Sequence, residues 1–166
     1  MSSDNRKNPA KGKTFQMKVA TVLGEYFGVR LKLDQSLPIG KPAKPHKFDL
    51  VSENGCYVGE CKNYGWTRGG NTPSAKMAFV NEAVFYLRHL PRRITRFVVM
   101  RRDLRWDGKE TLAQYYERTY RHLLGGVMIL EMDFRTGALQ TVTAEDGKAR
   151  FGKCDTGISE ARECPK

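Results

Sequence analysis

The segment His46-Lys-Phe-Asp-Leu-Val-Ser-Glu-Asn-Gly-Cys-Tyr-Val-Gly-Glu-Cys-Lys-Asn63 constrains this chain more than any other. Asn54-Gly55 is a two-residue hairpin signal, because a type I′ turn needs positive φ at both central residues. With that turn Glu53 faces Cys56, and the numbers of every facing pair add to 109. Asp49 then lies opposite Glu60, and Lys47 opposite Lys62. Side chains alternate faces along a strand, so this register predicts Asp49, Glu60 and Lys62 on one face. Like charges directly opposite on neighbouring strands destabilise the pair by ~0.2–1 kcal/mol. A divalent cation between the carboxylates turns that repulsion into binding. Mg²⁺ (or Mn²⁺) suits the place, because it takes one or two carboxylates and leaves positions for water and phosphate. A lysine beside the ion can position or help deprotonate a water and offset transition-state charge. The expected chemistry is phosphodiester hydrolysis, with Asp49 and Glu60 as metal ligands and Lys62 as the catalytic amine.

The charge balance agrees with an anionic substrate. The chain has 166 residues, a net charge of +11 and a pI near 9.7. Nucleic acid, and DNA first, is the commonest partner of such a chain, with an acidic membrane surface as rival. No apolar run approaches the ~20 residues of a membrane span. The N-terminus carries no apolar segment of a secretory signal, so the expectation is a cytoplasmic protein with reduced thiols. Cys56, Cys61, Cys154 and Cys164 form no C-x-x-C and match no zinc module, which reads as buried or idle thiols. No small-molecule cofactor is expected.

Periodicity and punctuation give the organisation. Residues 1–11 read as a flexible basic arm, 12–145 as one domain, and the tail 146–166 has no assignable structure. A helix is expected over Lys13 to Phe27, with Phe15, Val19, Val22, Leu23 and Tyr26 as its apolar stripe and Gly28 ending it. Val29 to Leu33 reads as a strand. Residues 35–45, with Pro38, Gly40, Pro42 and Pro45, read as a loop. The hairpin spans 46–52 and 56–62, and 63–71 is a second loop. Thr72 should cap a helix that has Pro73 at its first position and runs to Leu90. A strand follows over 94–100. A helix from Asp107 or Gly108 to Leu124 comes next, then a buried strand over 127–132. A peripheral strand over 138–144 completes the pass. This order is an α/β layered arrangement.

Basic residues cluster around the hairpin and the strand after Pro91. Lys13, Lys44 and Lys47 are the candidate phosphate contacts nearest Asp49. The loop after Lys62 carries Trp66 and Arg68, which can reach a groove or stack on an unpaired base. The bland reading of Trp66 is packing over the sheet edge, and the two stand level. The three histidines, His46, His89 and His122, share no metal-ligand spacing.

Asp49-x10-Glu60-Cys61-Lys62 resembles the PD-(D/E)XK nuclease superfamily, the restriction-endonuclease-like group. Its style is similar to Mrr-type restriction enzymes and archaeal Holliday-junction resolvases. The resemblance is one of short motifs and covers roughly residues 12–132. It implies an αβββαβ core with a mixed central sheet flanked by helices. It also implies a Mg²⁺-dependent DNA endonuclease in which the Cys61 backbone carbonyl joins Asp49 and Glu60 as a ligand. Phe48 stands where the family name has proline. Gln16 stands where the family often has a glutamate on the first helix, able to hydrogen-bond a bound water but bringing no charge. Cleavage of both strands is simplest for a homodimer. Two other readings remain: a non-catalytic nucleic-acid-binding protein on the same fold, and an RNA-binding component.

Overall fold

The computed structural model describes residues 8–143. Along the chain lie α1 (Asn8–Phe27), β1 (Leu31–Ile39), β2 (Lys44–Ser52), β3 (Tyr57–Lys62), α2 (Ser74–Arg88), β4 (Thr95–Arg101), α3 (Leu112–Tyr120), β5 (Met128–Met132) and β6 (Leu139–Thr141). The six strands form one sheet in sequence order. β3, β4 and β5 run parallel, and the remaining neighbours are antiparallel. The result is a mixed α/β layer structure.

Each helix covers the sheet with the stripe its sequence provides. Phe15, Val19 and Leu23 of α1 pack on one face with Tyr57, Phe97, Val99 and Leu130. Met77, Val80, Val84 and Leu87 of α2 pack on the other face, joined by Leu112 and Tyr116 of α3, against Val58, Val98, Met100 and Ile129. Because both faces are covered, β4 is buried at every position from Arg96 to Met100. Gly28, at φ 64°, ends α1, and the Val29 amide closes back on the Gly24 carbonyl.

Several boundaries differ from the sequence expectation, each for a local reason. α1 begins at Asn8, so residues 8–11 are helix rather than arm. Residues 1–7 and the tail from 144, including 146–166, lie outside the described residues. The proline segment 35–45 is mostly strand, with Pro38 paired to Pro45 and Ile39 to Lys44. Proline is tolerated there because β1 is an edge and the β2–β3 ladder holds only Leu50–Gly59 and Val51–Val58, so Pro45 has no second neighbour to satisfy. α2 starts at Ser74 with Pro73 as its cap and no side-chain capping bond, so Thr72 is not the cap. α3 starts at Leu112 rather than near 107, because Thr111 and Gln114 form a reciprocal capping box.

The hairpin register is the predicted one, since both ladder pairs add to 109. Its turn is not type I′. Gly55 alone has positive φ, at 69°, and four residues, 53–56, connect the strands. Asn54 explains this: its Oδ1 accepts from the Ser52 hydroxyl (2.7 Å) and the Cys56 amide (3.1 Å). The Ser52 hydroxyl in turn accepts the Tyr57 amide at 2.9 Å.

Both strands of the outer hairpin change face at one rung. On β1, Leu33 packs toward α1, whereas Leu37 and Ile39 pack toward α2. On β2, Leu50 packs toward α1 and Phe48 toward α2. Alternation places each of these sets on a single side, so a break falls between them. It falls at Asp34 and Asp49. Leu33–Leu50 and Gln35–Phe48 are paired, the rung between them is not, and Asp34 has φ 54°. Aspartate is one of the few non-glycine residues that visit this region routinely.

Gly59 permits the tightest contact in the sheet. A Cβ placed there would lie 2.1 Å from the Phe97 ring, which is fully buried beneath α1. Gly59→Ala is expected to lower stability by ~1–3 kcal/mol through overpacking. Urea unfolding checks this, and an unchanged midpoint would contradict the packing described.

Candidate functional site

The site forms where β2 and β3 part. Beyond the Leu50–Gly59 rung the Cys61 amide takes no β2 carbonyl. It donates instead to Asp49 Oδ2 at 2.8 Å. In a strand the N–H and C=O of one residue point to the same side, so the Cys61 carbonyl faces the same gap. Glu60 and Lys62 lie two and four residues beyond Val58, share its face and therefore project toward α2, while Cys61 packs toward α1. Asp49 reaches toward Glu60 through the fork, close enough that its charge raises the Glu60 carboxyl. Lys62 Nζ donates to Glu60 Oε2 at 3.0 Å. The three residues do converge. The route differs from simple alternation, because Asp49 sits at the rung where β2 changes face.

Burial sets the electrostatics. Glu60 is only 7% exposed. Its carboxyl is pushed up to about 7, by burial first; Lys62 pulls it back and Asp49 pushes it further up. Burial opposes the Lys62 charge most strongly, but the carboxylates of Glu60 and Asp49 with Tyr64 together outweigh it and hold the ammonium above its usual range. The Cys61 thiol is driven well above its ordinary value by burial and then by Asp49 and Glu60. It stays protonated at neutral pH and is a poor metal ligand or nucleophile. The backbone carbonyl is thus the donor residue 61 can offer. Tyr64, two residues beyond Lys62, feels the same charges, and burial raises its phenol.

Gln16 reaches the site from α1 and is 6% exposed. Its Nε2 donates to the Asp49 carbonyl at 2.7 Å and to Asp34 Oδ1 at 3.2 Å. The amide therefore braces Asp49. Asp34 itself is ion-paired with Lys13, which, ahead of Gln16, lowers its pKa. Asp34 is the neighbour that sequence reasoning missed, because its segment reads as the frayed end of a short strand. No sequence signal singles it out, because its left-handed conformation on the rung of Asp49 is a property of the fold.

The candidate contact residues divide. Lys44 and Lys47 are exposed on the outer half of β2, and Arg68 is exposed in the loop after β3. Lys13 is engaged with Asp34. Trp66 packs inward: its indole Nε1 donates to the Asp103 carbonyl at 3.0 Å and its ring meets Tyr115 edge-on. The packing reading of Trp66 is the one its contacts support. Other basic residues are also occupied, Arg121 with Glu117 and Arg118 with Glu110. His46 stacks on Tyr86 at 3.9 Å, and burial lowers its pKa. Cys56 is disulfide-bonded, which corrects the reading of four idle thiols, and Cys61 is free.

Among the described residues no three His, Cys, Asp or Glu side chains are grouped as a metal cage. The donor set at the fork is two carboxylates with one backbone carbonyl on the same side. That fits a hard cation that keeps much of its water. No helix among the described residues is long and apolar enough to cross a membrane. Comparison with known protein families, characterised proteins and solved structures gives no match.

Folding raises the Glu60 carboxyl, so the folded state holds its proton more tightly than the unfolded chain does. The stability this contributes is complete below about pH 4.5 and is lost as pH rises through about 7. Glu60→Gln removes the titration. In metal-free solution the wild type should therefore lose up to ~3 kcal/mol relative to the variant as pH rises through that window. Urea unfolding of both proteins across the range checks this, and a pH-independent difference would contradict it.

Proposed function

We propose that the chain is a metal-dependent endonuclease that hydrolyses DNA phosphodiester bonds. The observation that carries this reading is the pair of carboxyls, Asp49 and Glu60, brought close together at a strand fork with Lys62 beside them. A pair of like charges with one member buried works against folding, and a cation-binding role gives it a purpose. The order of helix, three strands, helix, strand (α1 to β4) supports the PD-(D/E)XK resemblance. A net charge of +11 supports a polyanionic substrate.

Asp49 and Glu60 would hold the cation, with the Cys61 carbonyl as a further donor. A bound Mg²⁺ supplies charge that polarises the scissile phosphate and lowers the pKa of an attacking water. Asp49 is fixed by the Cys61 amide on one side and by Gln16 on the other. Lys62 is cationic at neutral pH. Its part is to orient the water and offset charge growing on the phosphate oxygens, rather than to take a proton as a free base. A second reading, a nucleic-acid-binding protein without catalysis, is favoured by Gln16, which braces Asp49 as an amide and adds no negative charge.

The test is cleavage of plasmid, linear duplex, branched and single-stranded DNA with Mg²⁺, Mn²⁺ or EDTA. Products should require the metal and fall by roughly 100-fold or more in Lys62→Ala. Asp49→Asn should lose both cleavage and its metal dependence. DNA binding that ignores metal, with no products, would favour the second reading.

A further inference from the structure

Trp106 has the greatest fractional exposure of the large apolar side chains in the described residues, at 80%. It lies in the loop between β4 and α3, and its five-membered ring edge rests over Gly70. A Cβ on Gly70 would fall 2.3 Å from Trp106 Cδ1, and Gly70 has φ 71°. The loop after β3 thus supplies a bare backbone seat for the indole, while most of the ring faces solvent.

This loop pair is tied to the candidate site. β3 and β4 are parallel neighbours, and Lys62 pairs with Met100 near their C-terminal ends. The loops that follow them therefore leave from one edge of the sheet, the edge at which open α/β sheets bind ligands. Asp103 fastens one loop to the other, since its Oδ2 accepts the Trp66 amide at 2.7 Å and its carbonyl accepts the Trp66 indole at 3.0 Å. The exposed indole is held on a braced support that begins directly after Lys62.

Exposed cations lie close to it along both loops. Arg101, Arg102 and Arg105 are paired with Asp103, Glu131 and Asp107, while Lys109, and Arg68 in the facing loop, are exposed. Cationic side chains around an open aromatic face are what a single strand needs, phosphates on the first and a base on the second. A fully paired duplex offers no free base face to such a ring.

We propose that Trp106 is a stacking platform for an unpaired base, so that the site's substrates are DNAs with single-stranded character, such as flaps. This rests on the nuclease reading for its purpose, but its test does not depend on cleavage. Binding is measured in EDTA by fluorescence anisotropy, with labelled single-stranded, flapped and fully duplex oligonucleotides of one sequence, for wild type, Trp106→Ala and Trp106→Phe. Circular dichroism verifies that the variants fold. Single strand and flap should quench the indole emission of the wild type. Trp106→Ala should weaken their binding by roughly 5- to 150-fold, Trp106→Phe should retain most of it, and duplex affinity should hardly move. Equal losses on all three DNAs, or no loss on the single strand, would overturn the proposal. So would unchanged single-strand affinity in an alanine variant that loses self-association, because the ring would then be covered by a second copy. A protein that cleaves but shows no Trp106 effect sinks this inference alone. One that shows the effect but cleaves nothing sinks the nuclease reading alone.

Discussion

The hydrogen bond from the Cys61 amide to the Asp49 carboxylate is the interaction on which the site depends. Two strands that separate leave backbone donors without partners, and a buried unpaired amide is costly. Here a side chain from one strand satisfies the amide of the other, so the fork opens without an orphan donor. The same bond fixes the carboxylate. Asp49 cannot swing away from Glu60, and Glu60 is buried. Their repulsion is therefore a property of the fold rather than of a mobile surface, and with burial it leaves Glu60 hard to ionise even with Lys62 beside it.

The remainder of the sheet serves that geometry. β1 and β2 both change face at the rung of Asp34 and Asp49, so the outer hairpin packs toward α2 while the inner half packs toward α1. Because both strands turn over together, their pairing survives on either side of the rung. Gln16, from α1, bonds to both aspartates and bridges the discontinuity. Below it, the missing side chain of Gly59 lets Phe97 close against β3 beneath α1.

What the sequence disclosed follows from how local each signal is. The hairpin register was legible because Asn54-Gly55 and the flanking pattern lie within a few residues. The turn type was not, because the side chains of Ser52 and Asn54 rebuilt it. Gly28 as a helix stop and the buried β5 were equally local. The proline segment misled because composition cannot tell an edge ribbon with spare backbone positions from a loop. Asp49, Glu60 and Lys62 were found for a partly sound reason: the register holds, but the face change at Asp49 depends on pairing with β1. Asp34 and Trp106 were invisible to motif reasoning, one because its importance is a backbone conformation, the other because its seat on Gly70 joins loops distant in sequence.

Calorimetric titration of Mn²⁺ into the wild type and Asp49→Asn, at pH 6 and pH 8, decides whether the fork holds a cation. One site is expected on the wild type that tightens as pH rises through about 7, releases protons on binding, and is lost in the variant. No saturable binding to the wild type, or binding that Asp49→Asn leaves intact, would contradict the claim that the fork is a cation site.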